Sequence, residues 1–431
     1  MNQVVIVSGS RTAVGAFGGS LKETSAVQLG ASVMRETLRK AGLRPQSGPD
    51  LLAVAPHTLQ DQGAIELETK AGAWDSAAAP VAVDEVIMGN VLQAGLGQNT
   101  ARQAMVRAGL ARETPAFTIN KVCGSGLKAI ALGAQSIMAG QAEVVLAGGQ
   151  ENMSQVPMAL PKARWGHRME LTGIGEVIDL LVYDGLYEIF YGYHMGVTAE
   201  NIARMYKISR EDQDRLAVLS HARALRGIRD GLFRDEIVPI PVKAGKQEML
   251  FAQDERPMET SLEKMAKLRP AFAKDGTVTA GNASGINDGA AAVLMMSAAK
   301  ARQLGLKPLA VIESFASGGL DPAYMGLGPV PAIQKALKLC GKTIADLDLI
   351  ELNEAFAAQA IGCMLELGID VEMPNQLGSG ISMGHPIGCT GARQMVTAIH
   401  HMQRTGCATG LITMCIGGGM GMAMVISNPN T

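Results

Sequence analysis

The chain has 431 residues, of which 47% are hydrophobic and 18% charged, with a formal net charge of −2. That length exceeds one ordinary hydrophobic core, and the composition excludes disordered, low-complexity and collagen-like chains. The charge balance excludes a broad electrostatic attraction to nucleic acid or an anionic membrane surface, leaving only local basic patches.

No apolar run reaches the roughly 18–20 residues of a membrane span. The start of the chain reads as a strand over residues 4–7 entering a glycine-rich turn, rather than as a secretory leader. The terminal Asn-Pro-Asn-Thr matches no retention or peroxisomal signal. Six cysteines are scattered without a disulfide framework or a CxxC pair, so free thiols, no metal and a reducing cytoplasm are expected.

Following the first strand, an amphipathic helix is predicted around residues 30–42. Residues 44–82 then interrupt the pattern with Pro, Ala, Gly and Gln and the acidic Asp50, Asp61, Glu66, Glu68 and Asp75. They read as a surface insertion with one short helix near 64–73. The strand beginning at Val83 follows, then Cys123-Gly-Ser-Gly, a helix to about residue 139 and a strand from Val144. In that helix Leu127, Ile130, Ala131, Ala134, Ile137 and Met138 recur at three- and four-residue spacing, and most remaining positions are small. Such a helix is apolar nearly all round and belongs between two sheets.

The stretch 152–286 carries most of the tyrosines, a charged helix over 210–230 and loops bearing Gly and Pro; it reads as an inserted loop domain. Beyond it the first pattern returns. A helix over 332–340 leads to a strand at Leu347, then Gly384-His-Pro-Ile-Gly opens a helix to about residue 403, followed by a strand ending Cys415-Ile-Gly-Gly-Gly. Two halves that both run strand, helix, strand, glycine-rich elbow, helix, strand predict a duplicated α/β core of mostly buried sheets. The expected division is 1–152 with 287–307 as the first half, 153–286 as the loop domain and 308–431 as the second half.

The elbows carry the candidate chemistry. Cys123 stands before the buried helix, where unpaired backbone N–H groups are expected to lower a thiol pKa and favour thiolate. The alternative is a buried, inert cysteine. His385 occupies the corresponding elbow of the second half, so the pseudo-symmetry brings it toward Cys123 as the imidazole an activated thiol needs. Cys415 opens a glycine run whose backbone N–H groups suit an oxyanion hole. Asn353, in Asn-Glu-Ala-Phe, can hold a water or a substrate oxygen without adding charge.

Taken in order, Cys123-Gly-Ser-Gly, Asn353-Glu-Ala-Phe-Ala, Gly384-His-Pro-Ile-Gly and Cys415-Ile-Gly-Gly-Gly resemble the thiolase family. Further likenesses run from Val86 to Asn99, from Met265 to Phe272 and from Thr279 to Ala291, so the resemblance covers the chain except for 44–82. It implies the thiolase fold and a reversible condensation of two acetyl-CoA molecules. By this resemblance Cys123 carries the acetyl group, His385 accepts its proton, and Cys415 removes a proton from the second acetyl-CoA. One oxyanion site would combine His385 with a water on Asn353. The other would use the N–H groups of Cys123 and Gly417.

The resemblance also implies that His194, Met195, Phe272, Ser284, Met325 and Phe356 line the pantetheine arm of coenzyme A. Lys243 and Lys246 would neighbour its phosphates, and no tightly bound cofactor is implied. A homotetramer is the expected assembly. Gly192-Tyr-His-Met-Gly and Ala280-Gly-Asn-Ala-Ser-Gly resemble the short-chain acetoacetyl-CoA type, with a broader-range degradative thiolase as the alternative. One departure is Leu377-Gly-Ser-Gly, where the family commonly has Asn-Gly-Gly-Ala. Rates of thiolysis on acetoacetyl-CoA against 3-ketohexanoyl-CoA decide between the types.

Three rivals fit less well. A carrier-protein condensing enzyme pairs its cysteine with two histidines, whereas here the third position is Cys415. A nicotinamide oxidoreductase needs a helix and an acidic residue after its glycine run, but this chain ends. A non-catalytic scaffold of the fold would lack Cys123, His385 or Cys415.

Overall fold

Val4, Val5 and Ile6 are β-branched and buried, and they begin the strand on which both halves of the sheet converge. The structure, a computed structural model, describes residues 2–60, 63, 65–169, 175–245 and 247–431. In chain order the elements of the first half are β1 (Val4–Thr12), α1 (Ala26–Lys40), β2 (Glu85–Gly89), α2 (Thr100–Arg107), β3 (Ala116–Ile119), α3 (Ser125–Met138) and β4 (Val144–Asn152). There follow α4 (Met195–Tyr206), α5 (Arg210–Arg229), β5 (Asn287–Ser297), β6 (Ala310–Gly319), α6 (Pro329–Cys340), β7 (Leu349–Leu352) and α7 (Ala357–Leu367). The chain closes with α8 (Thr390–Thr405), β8 (Thr409–Ile416) and β9 (Met420–Ser427).

Strand pairing repeats between the halves. β1 is antiparallel to β5, β5 antiparallel to β4, and β4 parallel to β2. Likewise β6 is antiparallel to β9, β9 antiparallel to β8, and β8 parallel to β7. The two sets meet where β1 pairs with β6, Val5 opposite Val311 and Ile6 opposite Ala310. The duplication read from the sequence is thus a duplication of topology.

Helices α3 and α8 lie inside. One apolar cluster joins Leu127, Ile130 and Ala134 of α3 to Ala392, Val396 and Ile399 of α8, with Val145 and Val293 from one half of the sheet and Ile412 and Met424 from the other. α3 is apolar over most of its surface, whereas α8 packs an apolar stripe on it and also buries Arg393, Gln394 and Thr397. The crossing is close because Gly126 admits it: a Cβ there would stand 2.9 Å from Ala392 N and 3.0 Å from Gly388 O. Separate clusters lie under the outer helices, one beneath α1 and α2 and one beneath α6 and α7.

Helix α1 begins earlier than its apolar pattern suggests. Ser25 caps it, accepting from the Gln28 N–H while the Gln28 side chain accepts from the Ser25 N–H, a box worth about 1 kcal/mol. Residues 44–82, expected to carry one short helix near 64–73, hold short helices at Pro49–Ala53, His57–Gln60 and Glu66–Lys70 between the strands of a parallel pair, Leu43–Pro45 with Ala79–Val81. Asp61 and Ala64 lie outside the described residues. Trp74 fastens the insertion, its indole donating to Gly109 O with the Arg35 guanidinium 4.2 Å above the ring.

The stretch before β5 is tied to β1 by a buried charge cluster. Arg11 donates to Glu236 Oε1 at 2.6 Å and forks onto both oxygens of Asp254 at 2.7 and 3.0 Å. Among the described residues no helix is long and apolar enough to cross a membrane.

Candidate active site

Cys123 sits on a strained elbow. Val122 before it has φ +46°, a left-handed conformation that costs a β-branched residue energy and therefore needs support. Ser125 supplies it by accepting from the Lys121 N–H at 2.8 Å and donating to Val122 O at 2.7 Å. Gly124 is the cap of α3 and lends no side chain, so Cys123 stands just outside the helix. Cys123 as a whole is half-buried and packs beside Val91, Leu92 and Ile387.

Burial pushes the Cys123 thiol up to about 11, against the backbone N–H groups of Gly417 and of Cys123 itself, which pull it down. The expected thiolate is therefore corrected. A residue outside the first turn gains little from the helix dipole, and desolvation outweighs two donors.

The second elbow is built by Asn287. Gly384 has φ +99°, and a Cβ there would fall 2.4 Å from the Asn287 side chain. Asn287 Oδ1 accepts from the His385 N–H at 3.0 Å. His385 Nδ1 lies 2.6 Å from Thr390 Oγ1, whose own proton goes to Pro386 O at 2.9 Å. Since that hydroxyl has given its proton away, Nδ1 carries the hydrogen and Nε2 presents a lone pair. Nε2 is buried without a partner among the described residues. Burial, followed by the charge of Arg393, pushes His385 down to about 3, so the ring is neutral. Asn353 Nδ2 is 3.5 Å from Nδ1, too long for a strong bond, and its buried Oδ1 has no partner among the described residues.

The elbows meet, as the pseudo-symmetry predicts. Cys123 and Ile387 share one cluster, and Gly124 presses on Ile416 beside Cys415. Cys415 ends β8 fully buried; burial first, then the nearby Cys123 and Cys363, raise its pKa well above the ordinary thiol value. The Gly417 N–H points at Cys123, so the glycine run after Cys415 reaches the first elbow. Among the described residues no group of three or more His, Cys, Asp or Glu side chains is arranged to hold a metal ion.

Around Cys415 the structure gathers the other sequence candidates. Met195, Met325 and Phe356 share its cluster, with Phe272 packed against it. His194 stacks on Phe272 with ring centroids 4.6 Å apart, and Phe272 meets Phe356 edge-on at 6.0 Å. Ser284 adjoins them through its N–H to Ala355 O at 2.9 Å. Met195 also reaches Gly417, where a Cβ would fall 2.7 Å from its methyl carbon. Lys243 lines a groove with Lys22, Lys70 and Arg107. Lys246 lies outside the described residues.

Two family models match nearly the whole chain: the thiolase N-terminal domain over residues 4–73 and 54–299, and the thiolase C-terminal domain over 306–428. The chain belongs to the thiolase family. An acetyl-CoA acetyltransferase of Escherichia coli (strain K12) is 51% identical over 432 residues, covering 100% of both chains. One of Syntrophomonas wolfei subsp. wolfei is 50% identical, covering 98% of each. The crystal structure of the Bacillus anthracis acetyl-CoA acetyltransferase superposes with a TM-score of 0.88 at 41% identity, covering 99% of each chain.

Several groups that shape this thiolase site escaped sequence reasoning. Thr390 fixes the His385 ring, and its signal was a hydroxyl one helical turn beyond the elbow. Asn287 stood in a motif noted only for likeness. Glu354 is buried, accepting from Ser220 Oγ at 2.6 Å and Asn375 Nδ2 at 2.8 Å beside Asn353. Glu151 gave no local signal.

Proposed function

We propose that this thiolase is an acetyl-CoA C-acetyltransferase, condensing two acetyl-CoA molecules to acetoacetyl-CoA and CoA through an acetyl group on Cys123. The observation that carries the mechanism is the meeting of the elbows: Cys123 packs with Ile387 of the His385 turn, Gly124 presses on Ile416 beside Cys415, and Gly417 lies against Val122. Both relatives and the solved structure named above are acetyl-CoA acetyltransferases.

The protonation states suggest the order of events. Cys123 Sγ attacks the thioester carbon as its proton passes to His385 Nε2. The oxyanion is held by the N–H groups of Cys123 and Gly417, which turn from the sulfur to the oxygen as the thioester is attacked. CoA thiolate departs and takes its proton from Cys415, the buried neutral thiol. Cys415, now a thiolate, removes a proton from the methyl carbon of a second acetyl-CoA, whose enolate oxygen faces His385 and a water on Asn353. The carbanion attacks the acetyl group, Cys123 leaves as thiolate, and the imidazolium returns its proton. Charges close at each step, and thioester α-protons are acidic enough for a positioned thiolate.

The cluster of His194, Met195, Phe272, Ser284, Met325 and Phe356 would hold the pantetheine arm. The division into a first half (1–152 with 287–307), a loop domain (153–286) and a second half (308–431), a cytoplasmic location and a homotetramer belong to the same reading.

Enzyme mixed with acetyl-CoA should show one acetyl group on the Cys123 peptide by mass spectrometry. An active enzyme without that acetyl group, or full activity in Cys123→Ala, would overturn the mechanism.

A further inference from the structure

Glu151 ends β4 with no exposed surface, a costly place for a carboxyl group. Three of its four donors come from the first half and one from the second. Oε1 accepts from Asn90 Nδ2 at 2.6 Å and from the Leu92 N–H at 3.2 Å. Oε2 accepts from the Val91 N–H at 3.0 Å and from the Gly388 N–H at 2.8 Å. Val91 and Leu92 pack against Cys123, while Gly388 belongs to the turn that carries His385.

The contact leaves no slack. A Cβ on Gly388 would stand 2.7 Å from Glu151 Oε2, and one on Gly149, two residues before Glu151, would stand 2.1 Å from Gly388 O. Asn90 is itself fixed, its Oδ1 accepting from Thr100 Oγ1 at 2.9 Å. One carboxyl group therefore joins the wall behind the thiol to the elbow behind the imidazole.

We propose that Glu151 is a positioning residue that clamps the His385 elbow of the second half onto the 90–92 turn of the first, setting Cys123 and His385 in register for acyl transfer. The clamp rests on the reading of Cys123 as the acetylated group. Burial pushes Glu151 up to about 7 in spite of its four donors, so the anionic clamp is only moderately favoured near neutrality. The titratable groups that face it are Cys123 and, from the start of α8, Cys389.

Glu151→Gln has the same length, but its Nε2 turns N–H groups toward N–H donors and forfeits one of the two pairs of bonds. Single-turnover acetylation of Cys123 should slow by about 10- to 100-fold, with KM for acetyl-CoA within about twofold, because a displacement of about 1 Å suffices for such losses. Alkylation of Cys123 by iodoacetamide should shift along the pH axis in the variant, and Glu151→Asp should recover part of the acetylation rate. Should Glu151→Gln fail to fold, Asn90→Ala removes one donor from the same clamp and should slow acetylation by about 3- to 10-fold. Wild-type acetylation rates in the folded variant, or a loss matched by an equal rise in KM, would overturn the clamp. If wild-type Cys123 took no acetyl group, the mechanism itself would fail instead.

Discussion

The side chains of His385 and Thr390 are joined end to end, Nδ1 to Oγ1 at 2.6 Å, with the hydroxyl proton already committed to Pro386 O. That arrangement selects one tautomer and keeps the unpaired Nε2 as the basic end of the ring. Replacing Thr390 by Val removes the acceptor for Nδ1–H and leaves a buried donor unpaired. We expect kcat to fall by about 10- to 100-fold with KM nearly constant, and Thr390→Ser to keep most activity. Steady-state kinetics of the two variants decide; equal losses in both would separate the hydroxyl from tautomer control.

The pH behaviour of Cys123 follows from two opposed shifts. A thiol raised to about 11 stays protonated at every lower pH, and an imidazole lowered to about 3 stays neutral at every higher pH. Between those limits the resting pair is thiol and imidazole, with no ion pair. Iodoacetamide alkylation of Cys123 should therefore climb by about tenfold per pH unit from 7 to 9. A plateau near neutrality would reveal a preformed thiolate–imidazolium pair.

Cys415 should be separable from Cys123. In Cys415→Ser the acetyl group should still load onto Cys123, slowed by no more than about tenfold, since CoA is a tolerable leaving group as the free thiolate. Condensation needs a base at the methyl carbon and should fall by about 10²- to 10⁴-fold. Mass spectrometry of the loaded enzyme beside product formation tests both halves; loss of acetylation together with condensation would merge the two roles.

Much of this was legible in the sequence. The strand runs, the apolar helix after Cys123 and the glycine elbows are local patterns, and their repetition announced the duplication. The beginning of α1 was not, because a Ser–Gln box rather than apolar spacing sets it. The short helices of the insertion carry weak periodicity and depend on docking, as Trp74 against Gly109 illustrates. The Cys123 pKa was misread for a physical reason: a motif displays the helix dipole but hides desolvation. Glu151 was invisible because its bond to Gly388 spans 237 positions.

Stability should depend heavily on Arg11. Its guanidinium pairs with Glu236 Oε1 and with Asp254, and none of the three side chains has exposed surface. Arg11→Met would remove the cation that both buried carboxylates bond directly, a change that costs about 3–5 kcal/mol. Thermal denaturation should show a clearly lower midpoint, and Glu236→Gln with Asp254→Asn in the same chain should restore part of it. An unchanged midpoint for Arg11→Met would mean that the cluster contributes nothing net.

The inner helices hold a consequence for ancestry and for engineering. Each half on its own would uncover the apolar stripe of its inner helix, α3 or α8, that now packs against the helix of the other half. A single ancestral unit of this shape would have had to pair with its twin, face to face across the axis that now relates the halves. The present chain is in that sense a tethered pair, free to let its two copies diverge until one elbow kept a sulfur and the other an imidazole. Severing the tether between β5 and β6 and supplying the pieces together should rebuild the enzyme, whereas either piece alone should aggregate through its uncovered helix.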